Sequence, residues 1–315
     1  MIFFRPSGPA YDLALSLQQS PVARRARWDF RWRRGRTVRR LVLGLGQMHP
    51  VLHGRFDFFL ARRIALVQAW IFDVLRHLLL EYGVHSFGQE GFSADVSGVT
   101  RARVNAPILE ELKAELRDHH SAKLFLKRVA QHWRRALRRG SRSQTEYAAT
   151  ALNALTLLQA LHAQVTVFPL EQSDVHGRVY EGIVHLQNEI ARIESSSAFC
   201  AMQRKGGKKL TSEEYAAATL RNKLVKEFNA LLAHPERDRS IMRQVIEHID
   251  GPLTVFILGN AHRRNILKIA REHVPDDALF VWITPPALWW WEAVMRRMGW
   301  GLALGICFLG FTLWW

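Results

Sequence analysis

Two short motifs hold the residue types from which a hydrolytic or metal site is built. Gly46-Gln47-Met48-His49 follows the apolar run from Arg40 to Leu45, and Gly259-Asn260-Ala261-His262 follows the run from Leu253 to Leu258. In each, the glycine is expected to free the backbone to turn as a strand ends, so that the histidine three residues on projects over the sheet edge. A single Gly-x-x-His carries no weight. The same device used twice, more than two hundred residues apart, does. Glu90 offers a carboxylate between Gly88 and Gly91, and Arg237-Asp238 open a helical stretch ahead of the second motif. Two imidazoles and a carboxylate suit a divalent metal such as Zn, Mn, Co or Fe. His49, His262 and Glu90 are therefore the expected ligands. Glu90 could instead be the general base that activates water, with Arg237 stabilising developing negative charge. Around this set stand Glu171, Asp238, His53 (which makes H-x-x-x-H with His49), Gly46 and Gly259. The plainer alternative has both histidines bonded to backbone, with Glu90 and Arg237 as a structural ion pair.

These residues need a sheet to bring them together. Five runs read as strands: 40–45, 83–90, 164–170, 253–258 and 278–283. Their density of Val, Ile, Leu and Phe suits strands buried on both faces of a parallel sheet. Helical spacing runs through 56–82, 175–193 and 235–248, and Thr211-Ser212-Glu213-Glu214 has the pattern of a capping box. Alternating strands and helices argue an α/β fold with a mainly parallel central sheet flanked by helices. Helical patterns across 101–163 read as an insertion on that core. A helix before a parallel strand starts at the strands' carboxyl edge. His49, Glu90, Arg237, Asp238 and His262 are thereby sent to one mouth, where open parallel sheets bind ligands.

The 315 residues are 48% apolar, enough for a full core, and carry a net charge of +16. Nine arginines crowd residues 24–40, and a second basic cluster covers 134–142. Such runs suit anionic lipid or nucleic acid. No zinc-finger, RNP or helix-turn-helix pattern supports nucleic acid, and the end of the sequence favours lipid. Residues 298–315 carry no charge, and as a helix of about 27 Å they just match a bilayer core. Trp289, Trp290 and Trp291 precede that run, and Trp314 and Trp315 close it, as in interfacial belts. Arg296 and Arg297 keep the domain on the cytoplasmic side. A helix lying in the interface is the alternative. Cys200 and Cys307 form no metal-spaced or disulfide pattern, and the first residues lack a secretory signal. The expected organisation is a basic arm over 1–39, an α/β domain over 40–285 and a single-pass membrane anchor over 286–315.

The paired motifs, with Glu90 and Arg237 between them, resemble the superfamily joining TraB/PrgY proteins, Tiki proteases, erythromycin esterases and ChaN-like haem-binding proteins. The resemblance spans residues 40–285 and rests on Gly46/His49, Glu90, Arg237 and Gly259/His262. It implies an α/β fold and metal-dependent or histidine/glutamate-assisted hydrolysis of a peptide or ester bond. A ligand- or haem-binding regulatory protein on the same scaffold is the rival. Two positions depart from the pattern. Gln47 stands where the esterase and ChaN branches carry glutamate, and Asn265 where a glycine is usual. The membrane tail agrees best with the TraB-like branch.

Overall fold

The structure is a computed structural model that describes residues 7–32, 37–48, 57–93, 153–171, 173–204, 209–232 and 234–289. In chain order these form α1 (Pro9–Gln19), β1 (Arg27–Arg31), β2 (Arg40–Gln47), α2 (Asp57–Tyr82), β3 (Ser86–Ser93), α3 (Ala154–Leu161) and β4 (Thr166–Glu171). There follow α4 (Ser173–Glu194), α5 (Ser197–Arg204), α6 (Ser212–Leu232), α7 (Pro235–Glu247), β5 (Leu253–Gly259), α8 (Arg263–His273) and β6 (Ala278–Thr284). A single 3-10 turn, Asn260–His262, links β5 to α8.

The five expected strands all form and lie in one six-stranded sheet of order β1-β6-β2-β5-β3-β4. Every pairing is parallel except that of β1 with β6. The side-chain period of two divides the sheet between two cores. Leu41, Leu43, Leu45, Val255, Ile257, Val281 and Ile283 meet α1, α2 and α3 on one face. Val42, Phe256, Leu258, Phe280 and Trp282 meet α7 and α8 on the other. The buried positions Ile64, Val67, Ile71, Val74, Leu75 and Leu78 trace the apolar stripe of α2. The capping box opening α6 is reciprocal: the Thr211 N–H donates to Glu214 Oε2 (2.8 Å), and the Glu214 N–H donates to Thr211 Oγ1 (3.3 Å).

The basic N-terminal stretch does more than the expected arm. Residues 9–19 are helical, and Arg27–Arg31 extends the sheet, with Trp28 and Phe30 stacked on one another. Arg263 of α8 donates from Nε and Nη2 to Asp29 Oδ2 (3.0 and 2.7 Å), tying β1 to the helix that follows His262. Among the described residues no helix is long and apolar enough to cross a membrane. The tail at 290–315 lies outside those residues, as do 101–152 of the expected insertion and its basic cluster.

Candidate functional site

The parallel course of β2, β5, β3 and β4 brings the strand ends Gln47, Gly259 and Glu171, and Glu90 within β3, to the same edge. The β3–β5 ladder stops at Gln89 opposite Ile257, and the β3–β4 register shifts between Gln89 and Ser93. Glu90 therefore sits inside β3 at an irregularity, and not at a strand end as its flanking glycines suggest. Its carboxylate replaces the missing ladder partner: the Gly259 N–H donates to Glu90 Oε2 at 2.7 Å. α7 starts at this edge with Pro235 in its first turn, and its early residues Arg237 and Asp238 face β3, β4 and the 3-10 turn.

These side chains form one buried cluster, each no more than 7% exposed. Arg237 Nη2 donates to Glu90 Oε1 (2.8 Å) and to Glu171 Oε1 (2.6 Å), holding two carboxylates with one guanidinium. His262 Nδ1 donates to Asp238 Oδ1 at 2.5 Å, and Asn265 Nδ2 donates to Asp238 Oδ2 at 2.8 Å. The imidazole is thus fixed at Nδ1, and its Nε2 faces Glu90 Oε1 (3.3 Å) and Arg237 Nη1 (3.4 Å).

The protonation of His262 decides which of those two contacts is a hydrogen bond. Burial pushes its pKa down, but the hydrogen bonds to Asp238 and Glu90 and the charges of both carboxylates outweigh it. The result is a rise from 6.5 to about 9. An imidazolium has no lone pair, so Nε2–H donates to Glu90 and the Arg237 contact brings two donors together. Burial also pushes the Arg237 pKa down, yet Glu90 and Glu171 hold the guanidinium more firmly charged than usual.

The glycines of the paired motifs act differently from the turning role expected of them. Among the described residues only Gly8 and Gly83 have positive φ, and Gly259 lies at φ −52°. Gly46 is needed for room: a Cβ there would stand 2.7 Å from Asn260 Oδ1 and 3.2 Å from Trp282 Nε1. Trp282 Nε1 in turn donates to Asn260 Oδ1 at 3.4 Å, so the first motif's glycine lets the second motif's turn pack against β2 and β6. Gln47 belongs to the opposite face of the sheet. Its Oε1 accepts from Gln68 Nε2 at 3.4 Å, and Gln68 Oε1 accepts the Ala154 N–H at the start of α3 (2.9 Å).

Comparison with family models, with curated proteins and with solved structures returned no match to this chain. Of the residues expected at the site, Glu90, Glu171, Arg237, Asp238, Gly259 and His262 converge, while His49 and His53 lie outside the described residues. Asn265, marked in the sequence only as a departure from glycine, proves to hold the second oxygen of Asp238. Its place three residues after His262, in the first turn of α8, is the available signal.

Among the described residues, the donors of this cluster are committed to one another and do not by themselves suit a divalent metal. Both Glu90 oxygens are engaged, and His262 Nε2 faces a guanidinium that would repel a cation placed there. Among the described residues no group of three His, Cys, Asp or Glu side chains is arranged to hold one.

Proposed function

We propose that this chain is a membrane-anchored hydrolase of the TraB/Tiki-like kind, acting on an ester or peptide bond at the carboxyl edge of its sheet. The observation that supports this reading is the Asp238–His262 couple. A buried carboxylate fixes Nδ1 of an imidazole whose Nε2 faces a second carboxylate and an arginine. Asp238 is the orienting group, as in acid–base couples generally. Glu90 would take a proton from the attacking water, the Nε2 proton of His262 would pass to the leaving group, and Arg237 would stabilise the oxyanion. Glu171 keeps the guanidinium aimed. The histidine/glutamate-assisted form of the chemistry is preferred to the metal-dependent form because the described donors do not suit a cation.

The test is hydrolysis by full-length protein in mild detergent, offered nitrophenyl esters of graded chain length and fluorogenic peptides. H262A and E90Q should each lower kcat by about 100- to 10,000-fold, with the far-UV spectrum unchanged. Metal content, measured alongside, should not track activity. The anchor is tested by alkaline carbonate extraction of membranes: release of the full-length chain would count against it.

One observation favours a second reading, a non-catalytic ligand-binding protein. Both oxygens of Glu90 and the guanidinium of Arg237 already have partners within the fold. Loss of folding in both H262A and E90Q, with no hydrolysis by the parent protein, would support it.

A further inference from the structure

β6 runs parallel to β2 and β5, so its end at Thr284 reaches the edge that carries His262. β1 runs antiparallel to β6, with Arg27 opposite Thr284, so the turn before β1 reaches that edge as well. Between the two lies an open groove of about 540 Å³, lined by Arg24, Arg25, Ala26, Pro286, Ala287 and Trp289. Its walls are pinned by backbone contacts. Trp289 Nε1 donates to the Arg25 carbonyl (3.0 Å), Trp28 Nε1 to the Ala23 carbonyl (3.3 Å), and Arg63 Nε to the Ala287 carbonyl (3.3 Å). Arg24 and Arg25 are exposed, and among the described residues neither guanidinium has a carboxylate partner. An apolar floor under two available guanidinium groups suits a molecule with an anionic head and an apolar body.

We propose that this groove seats the headgroup of an anionic phospholipid. The phosphodiester lies against Arg24 and Arg25, and the glycerol and first methylenes lie on Ala26, Pro286, Ala287 and Trp289. Guanidinium groups form paired, charge-assisted bonds to phosphate oxygens, and tryptophan favours the interfacial depth of a bilayer. The occupant is a lipid and not a free anion because of where the chain goes next. Nine residues after Trp289 the uncharged run 298–315 begins, and nine residues span at most about 30 Å. The choice of a lipid rests on the proposed membrane attachment of that run. β5 is two strands from β6, or about 10 Å at ordinary strand spacing. A lipid in the groove therefore turns the edge carrying His262 toward the bilayer, and substrate would be met at the membrane surface.

The experiment uses full-length protein held in an amphipathic polymer, titrated calorimetrically with dihexanoylphosphatidylglycerol below its micelle concentration. Parallel arms use dihexanoylphosphatidylcholine and inorganic phosphate. Saturable binding of the glycerol lipid is expected, at least tenfold tighter than either comparison. The double variant R24Q/R25Q should weaken it at least tenfold with an unchanged far-UV spectrum, and R24K/R25K should retain most of it. Equal binding of phosphate, equal binding of the choline lipid, no binding at all, or full affinity in R24Q/R25Q would each overturn the proposal. Carbonate extraction separates its failure from that of the anchor. A protein that is extracted yet binds the lipid has lost only the anchor; one that resists extraction and binds none has lost only the groove.

Discussion

Raising the pH should remove a definable share of this protein's stability through His262 alone. The imidazole ionises near 6.5 in an unfolded chain and at about 9 in the fold, where burial is outweighed by its bonds to Asp238 and Glu90. A folded pKa above the unfolded one means that the charged form favours folding. The contribution is complete below about pH 6.5 and disappears as pH climbs through 9. The free-energy difference between the two ionisations is about 3 kcal/mol, an upper bound for a group so closely joined to two carboxylates. The assay is urea unfolding of the full-length protein at pH 6, 7.5, 9 and 10, followed by far-UV circular dichroism. The same series on H262Q removes the background titration of lysines and tyrosines. The difference in stability between the two proteins should fall by about 3 kcal/mol from pH 6 to pH 10, most steeply between 7 and 9. D238N should shift the fall to lower pH, because the first of the two supporting bonds is weakened. A difference that stays level from pH 6 to 10 would refute the reasoning, since it would mean that His262 carries the same charge folded and unfolded.

Replacing Arg237 by methionine leaves Glu90 and Glu171 buried without their shared cation and should cost about 3–5 kcal/mol in urea unfolding. Adding E90Q and E171Q to that variant should return part of the loss. Gly46→Ala places a Cβ 2.7 Å from Asn260 Oδ1, so thermal unfolding should report a loss of about 1–3 kcal/mol. Activity should fall further than stability accounts for, because Asn260 leads into His262. Thr211→Ala removes one half of the capping box and should cost about 1 kcal/mol. Hydrogen exchange should quicken in the first turn of α6 and nowhere in the sheet.

β2, β5 and β6 are legible because they are buried on both faces, which leaves an unbroken apolar run with little to confuse it. β1 is not, although Trp28 and Phe30 alternate with Arg27, Asp29 and Arg31 as an edge strand should. The density of arginine around it suggests a solvated arm, and local composition says nothing about Asp29 meeting Arg263. The site is legible as a set of positions at one sheet edge, since that follows from topology. The pairing within it is not. Whether Glu171 would orient a histidine or hold Arg237 depends on which strand lies next to β3, and strand order is not written in local pattern. For the same reason the role of Gly46 is hidden. Turning a chain is a local property, whereas making room for Asn260 belongs to two segments far apart in sequence.

The place of β5 in the sheet also sets the order in which the molecule can be assembled. β3 and β4 can pair early, but β2 and β3 are joined only through β5, whose first residue is Leu253. Until that strand inserts, the backbone ladders of β2 and β3 each present an open side. Closing it requires contacts across more than two hundred residues to β2 and more than one hundred and fifty to β3, the long-range kind that slows folding and invites association meanwhile. Glu90 waits on Gly259, and His262 arrives with the same segment, so the cluster cannot form before β5 is in place. A chain that stalls before this step would retain most of its helices, and its unfinished central sheet would be a natural surface for a chaperone to hold.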